Sequence, residues 1–246
     1  MENRYVSILG VPFLHTTMEE MTQRVVKHWE SNEKAFVITA NPEIVMKARE
    51  EQVFQEIVGR ADYITADGIG VVKAAEMLGD PLPERVAGYD LMHELLKKAN
   101  ERSLNLYMLG AGEDVIEEAA NAVKRQYPNV KIAGYHHGFF DWESDAIPNQ
   151  INEAGADLVL VALGCPRQEQ WIDQNINKFH KGVFIGVGGS FDVLAGKVER
   201  APEMWQKMNA EWLYRLVKQP SRWRRMLALP RFVGHVMKEK ASKRHG

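Results

Sequence analysis

Asp67 lies in a turn that combines one carboxylate with two glycines, in the order Asp67-Gly68-Ile69-Gly70. A short apolar run precedes the turn, and apolar residues at helical spacing follow it. Glycines at a strand-to-helix turn let the backbone approach a ligand closely. Asp67 is therefore a candidate general base or ligand-binding residue. Aspartate is also a favoured N-cap, so a purely structural role at the start of the next helix stays open.

Three more predicted strands end in polar or glycine-rich turns. The polar residues are Thr39 and Asn41 after one strand, Gln168 and Glu169 after a second, and Asp192 after a third, while Arg85 lies in a loop nearby. Amide and carboxylate groups suit hydrogen bonding to sugar hydroxyls. Solvation on a helix surface would account for Gln168 and Glu169 equally well.

Strand and helix patterns alternate along the chain, with short turns that contain Gly or Pro. This alternation predicts an α/β, Rossmann-like fold with a largely parallel sheet flanked by helices. In such folds ligands bind beyond the carboxyl ends of the strands, where the residues named above are expected to meet. We expect a catalytic core over residues 1–195 and a C-terminal helical, amphipathic appendage over residues 196–246.

Several familiar chemistries lack their motifs. The segment Gly110-Ala111-Gly112 has no third glycine, and no acidic residue ends the next predicted strand, which argues against a conventional NAD site. The sequence has no Walker A motif, no metal-ligand spacing and no Asp-x-Asp, and Cys165 has no evident His/Asp arrangement. We therefore predict neither a cofactor nor a metal. What remains is one carboxylate among hydrogen-bonding groups, an arrangement suited to deprotonating a hydroxyl.

Composition restricts the class of protein further. The chain has 246 residues, of which 45% are hydrophobic and 26% charged, as in ordinary soluble globular proteins. No apolar run approaches the roughly 20 residues of a spanning helix, and the N-terminus shows no export signal. A single cysteine agrees with a reducing cytoplasm.

The C-terminal segment 203–246 differs in charge from the rest of the chain. It holds 11 Lys and Arg against three Asp and Glu, together with three of the six tryptophans. Apolar residues at helical spacing are Trp205, Met208, Trp212 and Leu216, and beyond Pro220 also Trp223, Met226, Val233 and Val236. Basic amphipathic helices with tryptophan bind membrane interfaces. A helical subdomain packed on the core and a nucleic-acid-binding tail are the alternatives.

Five segments together carry a resemblance to a known family. They are Thr39-Ala-Asn-Pro42, Thr65-Ala-Asp-Gly-Ile-Gly70, Arg85-Val-Ala-Gly-Tyr-Asp90, Gly164-x-Pro-x-Gln-Glu-x-Trp171 and Gly186-Val-Gly-Gly-x-Phe-Asp192. In order and spacing, across nearly the whole chain, the sequence resembles the WecG/TagA/CpsF glycosyltransferase family. Arg167 stands where many relatives have lysine, a departure that keeps the charge.

The resemblance implies transfer of N-acetylmannosamine from its UDP donor to undecaprenyl-diphosphate-linked N-acetylglucosamine, with inversion and without a metal. It implies that Asp67 is the general base, with Thr39, Asn41, Arg85 and Gln168 around the substrates. It also implies that the appendage docks on a membrane and that some of its arginines meet a diphosphate. For that role we select Arg215, Arg222 and Arg225.

The resemblance also implies a place in the cell and a set of partners. We expect a cytoplasmic protein, peripherally associated with an anionic membrane surface at the inner face of the cell membrane, and no nucleic-acid partner. Self-association into a homo-oligomer is compatible with the sequence. Two other functions stay open: a family member with another donor, such as UDP-glucose or UDP-N-acetylmannosaminuronic acid, and a non-catalytic nucleotide-sugar- or lipid-binding protein.

Overall fold

The computed structural model describes residues 3–208, 210–220 and 223–245. These residues form eight β-strands and thirteen α-helices. The strands are β1 (Tyr5–Ile8), β2 (Val11–Leu14), β3 (Lys34–Ala40), β4 (Tyr63–Ala66), β5 (Asn105–Gly110), β6 (Lys131–His136), β7 (Leu158–Ala162) and β8 (Gly182–Gly186). The helices before β7 are α1 (Met18–Ser31), α2 (Pro42–Glu50), α3 (Gln52–Gly59), α4 (Ile69–Met77), α5 (Gly88–Arg102), α6 (Glu113–Gln126) and α7 (Ala146–Glu153). The remaining helices are α8 (Arg167–Asn175), α9 (Ser190–Leu194), α10 (Glu203–Lys207), α11 (Glu211–Lys218), α12 (Trp223–Met226) and α13 (Ala228–His245).

A six-stranded sheet with the order β4-β3-β8-β7-β5-β6 lies at the centre of the molecule. All of its strand pairs are parallel, so the carboxyl ends of the strands lie along one edge. Strands β1 and β2 form a separate antiparallel hairpin in which Ile8 pairs with Val11. The predicted α/β fold with a parallel sheet flanked by helices is confirmed.

Helices cover both faces of the sheet. Successive side chains along each strand point to opposite faces, so both faces carry apolar residues that need covering. On β3, Phe36 and Ile38 belong to one buried cluster, which is completed by the hairpin and by α2, α3, α4, α7, α8 and α13. Ala35 and Val37 belong to the opposite cluster, with α1, α5, α6 and α9. The carboxyl ends of the strands therefore lie between two packed layers, one on each face of the sheet.

Local sequence explains where the first helices begin. The Thr17 hydroxyl accepts a hydrogen bond from the Glu20 N–H, and the Glu20 carboxylate accepts one from the Thr17 N–H. This reciprocal pair is a capping box. Helix α2 begins in the same manner, because the Asn41 side-chain oxygen accepts from the Ile44 N–H at 3.1 Å and Pro42 occupies the first turn.

The C-terminal helices divide into two groups by burial. Phe232 and Val236 of α13 are buried in the same cluster as residues of α2 and α4, so α13 packs on the core. Gly70 makes this approach close, since a Cβ added there would lie 3.4 Å from Leu229 Cδ1. The predicted apolar face is divided between two short helices, because α10 ends at Lys207 and α11 begins at Glu211.

Large apolar side chains are exposed on and around the C-terminal helices. They include Met204, Met208, Trp212, Leu213, Val217, Trp223, Leu227, Val233 and Met237. Within the described ranges, none of the helices has the length and apolar character needed to cross a membrane.

Candidate active site

A cavity of about 430 Å³ opens at the carboxyl ends of β3, β4, β7 and β8. Its walls come from the turns that follow these strands, from the segment that begins α5, and from α11 to α13 of the C-terminal region. The sequence-predicted residues that line it are Thr39, Asn41, Asp67, Arg85 and Gln168. The fold thus brings together side chains that lie far apart along the chain.

Asp67 is placed directly after β4, where its backbone N–H donates to the Ala40 carbonyl at 2.9 Å. This bond extends the β3–β4 pairing by one residue and fixes the start of the turn. Gly68 follows with a φ of +99°, a conformation that favours glycine, and it is Gly68 that occupies the N-cap position of α4. The Asp67 carboxylate, one residue before this N-cap, is half-buried and lines the cavity.

Thr39 and Asn41 flank the cavity at the end of β3. A Cβ added to Gly88, the first residue of α5, would lie only 2.5 Å from Thr39 Oγ1. A side chain at position 88 would therefore displace the Thr39 hydroxyl. The side-chain oxygen of Asn41 already caps α2, which leaves its amide NH₂ group as the part that can bind a substrate.

Among the predicted residues that line the cavity, Gln168 is the buried one, with 5% of its surface exposed. Its Oε1 accepts a hydrogen bond from the Gly188 N–H at 3.0 Å, and its Nε2 donates to Glu169 Oε1 at 2.8 Å. These two bonds fix which way the amide points. Gln168 therefore holds the glycine-rich turn after β8 against the turn after β7.

Glu169 and Asp192, the other two predicted substrate-binding residues of the core, lie outside the cavity lining. Glu169 is 1% exposed, and its carboxylate accepts the hydrogen bond from the Gln168 amide. Burial raises the pKa of the Glu169 carboxyl, because the interior disfavours its charged form. Asp192 is half-buried in the first turn of α9, where its carboxylate lies close to Gly189.

Arg85 belongs to a group of charged side chains on one wall of the cavity. Asp90 Oδ2 accepts from Arg85 Nη2 at 3.3 Å, and Asp90 Oδ1 accepts from Arg200 Nη2. On the other side of Arg85, its Nη1 lies 3.7 Å from Glu211 Oε2 of α11. The guanidinium of Arg200 also lies over the ring of Tyr89, 4.6 Å from its centroid.

Four residues of this group were not among the sequence-predicted site residues: Tyr89, Asp90, Arg200 and Glu211. The first two are part of the segment from Arg85 to Asp90, so their spacing after Arg85 was a usable signal. Arg200 and Glu211 lie in the predicted appendage, where nothing in the local pattern distinguishes them from other charged residues. Only the tertiary structure places them beside Arg85.

The three predicted appendage arginines fall where the structure gives little information. Arg222 lies outside the described residues, and the side chains of Arg215 and Arg225 lie outside them as well. Their neighbours in the chain are described, and Trp212, Leu216, Met226, Ala228 and Leu229 line the cavity. The C-terminal helices thus form an apolar wall of the site.

No group of three or more His, Cys, Asp or Glu side chains in the part of the chain that the structure describes could hold a metal ion. The charges available in the described part of the cavity wall are therefore carboxylates and guanidinium groups.

The chain belongs to the Glycosyl transferase WecG/TagA/CpsF family, whose model matches residues 6–246. It is 40% identical over 237 residues to N-acetylglucosaminyldiphosphoundecaprenol N-acetyl-beta-D-mannosaminyltransferase of Staphylococcus aureus (strain MW2), with 96% of this chain and 93% of the relative covered. It is 42% identical over 214 residues to the protein of the same name from Bacillus spizizenii (strain W23), with 87% of this chain and 83% of the relative covered.

Proposed function

We propose that the chain transfers N-acetylmannosamine from UDP-N-acetylmannosamine to undecaprenyl-diphosphate-linked N-acetylglucosamine, a step of wall teichoic acid linkage-unit synthesis. The observation that carries the proposal is the position of Asp67, a carboxylate directly after β4 on a cavity whose lining also offers hydroxyl, amide and guanidinium groups. The names of two relatives that match most of the chain support the choice of both sugars.

In the proposed reaction the Asp67 carboxylate accepts the proton of the acceptor's C4 hydroxyl. The hydroxyl oxygen then attacks the anomeric carbon of the donor, and the bond from that carbon to the UDP oxygen breaks with inversion. General-base assistance of this kind contributes about 10²–10⁴ in rate. Negative charge grows on the departing UDP, and guanidinium groups such as that of Arg85 stabilise it without a metal.

Substrate positioning is assigned to the other predicted residues. Thr39 and Asn41 lie at the same end of the sheet as Asp67 and offer a hydroxyl and an amide to sugar hydroxyls. Gln168 acts through the Gly188 turn as well as through its own amide. Glu169 and Asp192 support these turns, and Arg215, Arg222 and Arg225 are proposed to reach the diphosphate.

We further propose that residues 1–195 are the catalytic core and residues 196–246 the appendage that docks on an anionic membrane. The exposed apolar side chains of α10 to α12 and the excess of basic residues in this region support this division. An enzyme whose acceptor carries an undecaprenyl chain must reach the membrane surface. The protein would then act on the cytoplasmic leaflet as a peripheral membrane protein, as a monomer or a homo-oligomer.

A donor panel tests the function. Purified protein is supplied with a lipid-linked N-acetylglucosamine acceptor and with UDP-N-acetylmannosamine, UDP-N-acetylmannosaminuronic acid or UDP-glucose, and the disaccharide product is measured. Product from the first donor alone is expected. Turnover of another donor in its place would assign a different sugar, and substrate binding without turnover of any donor would contradict an enzymatic function.

A further inference from the structure

The carboxylate of Asp90 binds two guanidinium groups, one on each of its oxygens. Arg85 Nη2 donates to Oδ2 and Arg200 Nη2 donates to Oδ1. Each arginine is thereby fixed beside the other, although 115 residues separate them in the sequence. A carboxylate that accepts from two arginines offsets their mutual repulsion and holds both in one geometry.

Arg200 is oriented by more than this ion pair. Its guanidinium carbon lies 4.6 Å from the centroid of the Tyr89 ring, so the ring face adds a cation–π contact. Tyr89 in turn lies against His93, with ring centroids 4.6 Å apart, and His93 Nδ1 is 2.6 Å from the Tyr127 hydroxyl. A packed series of rings, two on α5 and the third at Tyr127 directly after α6, therefore supports the Arg200 guanidinium.

Both arginines lie on the cavity wall and are largely removed from solvent. The side chains are 24% exposed for Arg85 and 28% for Arg200. Charged hydrogen bonds are stronger in such a partly buried place than on an open surface. The pair is therefore suited to an anion that enters the cavity, and a diphosphate presents two adjacent anionic groups to two adjacent guanidinium groups.

We propose that Arg200 is a second diphosphate-binding residue, and that with Arg85 it forms a clamp for the diphosphate of the nucleotide-sugar donor. The inference rests on the proposed function, whose reaction requires two diphosphates, one in each substrate. The acceptor's diphosphate is attached to a membrane lipid, so it enters past the C-terminal helices. Arg85 belongs to the core rather than to those helices, with its Nη1 3.7 Å from Glu211 Oε2 of α11, so we assign the clamp to the donor.

The clamp would have a consequence for the leaving group. When the bond to the sugar breaks, the electron pair stays on the β-phosphate oxygen, and the charge of UDP rises. Guanidinium groups already fixed by Asp90 and Tyr89 need no rearrangement at that moment, which is the condition under which electrostatic stabilisation is most effective.

The test compares UDP with uridine, which lacks the diphosphate. Affinities are measured by isothermal titration calorimetry for UDP and by ligand-observed NMR for uridine, with wild type, Arg200→Gln, Arg200→Lys and the control Arg60→Gln. Arg60 also pairs with a carboxylate, at 2.7 Å from Asp173, but lies outside the cavity lining.

We expect Arg200→Gln to weaken UDP binding by about 10- to 100-fold, the range for a lost charged hydrogen bond, and to leave uridine binding unchanged. The UDP affinity of Arg200→Lys should lie between those of wild type and Arg200→Gln, because lysine keeps the charge but not the forked donors. Arg60→Gln should change neither affinity.

Two results would overturn the clamp. They are unchanged UDP affinity in both Arg200 variants, and an equal loss of UDP and uridine affinity. The first leaves the proposed transfer intact. Failure of the wild type to bind UDP would instead overturn the proposed donor, and the clamp with it.

Discussion

The amide of Gln168 occupies the space that a side chain at Gly186 would need. A Cβ built on Gly186 lies 2.5 Å from Gln168 Nε2, closer than unstrained atoms approach. The glycine at the end of β8 therefore permits Gln168 to reach the Gly188 N–H across the sheet edge. The absence of a side chain at Gly186 thus allows Gln168 to connect the turn after β7 with the turn after β8.

Gly186→Ala should disrupt the site, because an added side chain would collide with the Gln168 amide. The new methyl group displaces the Gln168 amide and breaks its bonds to Gly188 and Glu169, so we expect kcat/KM to fall at least about tenfold and stability by about 1–3 kcal/mol. Gly59→Ala is the control, since a Cβ there meets nothing within 4 Å. The double variant Gly186→Ala/Gln168→Ala should regain stability but not activity, whereas full activity of Gly186→Ala would contradict the positioning role.

Asp67→Asn should abolish most of the turnover while the fold is kept. The amide has nearly the shape of the carboxylate but cannot accept the proton, so kcat should fall by about 10²–10⁴. Single-turnover kinetics and thermal unfolding would separate a chemical defect from a folding defect. Asp145→Asn, at an exposed position paired with Lys178, should have ordinary activity. Near-normal turnover of a folded Asp67→Asn protein would refute the assignment of the base.

Activity should survive metal removal. The sequence has no Asp-x-Asp, and the clamp of Arg85 and Arg200 offers charge where other glycosyltransferases use a divalent cation. Turnover is measured after treatment with EDTA and again after addition of magnesium or manganese. Loss of activity in EDTA with recovery upon metal addition would contradict this prediction.

Glu169→Gln should change how stability depends on pH. The pKa of the buried Glu169 carboxyl is raised above its ordinary value of 4.5, so the folded state holds this proton more tightly than the unfolded state. The stabilisation from this group is therefore present below pH 4.5 and is lost as the pH rises through the raised pKa. Glutamine cannot ionise, so the variant does not lose this stabilisation. The free energy of unfolding of Glu169→Gln should therefore increase relative to that of wild type as the pH rises above 4.5.

Chemical denaturation between pH 4 and pH 8 measures this difference. Glu30→Gln, a change at an exposed carboxylate, serves as the control and should give a curve parallel to that of wild type. A parallel curve for Glu169→Gln as well would show that burial does not shift the titration of Glu169.

Membrane docking should depend on exposed apolar side chains of the C-terminal helices. Replacing Leu213, Val217 and Leu227 together by serine should weaken binding to vesicles that contain phosphatidylglycerol by at least about tenfold, because each buried apolar side chain contributes about 1.5–3 kcal/mol. High salt should weaken the binding of wild type without abolishing it.

A matched control for docking comes from exposed apolar side chains outside the C-terminal helices. Val53 and Phe139 are 69% and 76% exposed, and their replacement by serine should leave vesicle binding unchanged. Equal binding of the triple variant and wild type would contradict docking through these helices. This design keeps α13 in place, since Phe232 and Val236 are buried in the core and truncation would uncover their partners.

Sequence patterns predicted the features that depend on local chemistry. The alternating strands and helices, and the strand ends at which Thr39, Asp67 and Gln168 line the cavity, all follow from residue type and spacing. These signals act within a few residues, so one sequence is enough to detect them. The common edge of a parallel sheet then brings the turns together.

The features that sequence did not predict depend on contacts between distant segments. Arg200 meets Asp90 only because the chain after α9 returns across the start of α5. Glu169 lies behind Gln168 because the packing of α8 against the sheet, rather than its polarity, sets which side chains face inward. Hydrophobic periodicity carries little information about either contact.

The position of β3 sets the earliest point during synthesis at which the central sheet can be complete. This strand pairs with β4 shortly after it in the chain, but its other edge waits for β8, where Lys34 meets Gly182. At about 5–20 residues per second the ribosome needs on the order of ten seconds to make the intervening segment. During that time an apolar strand has an open edge, and the glycine-rich wall of the cavity does not exist. The nascent chain is therefore inactive and prone to aggregation until β8 has emerged, which makes late translation the period when chaperone binding would matter most.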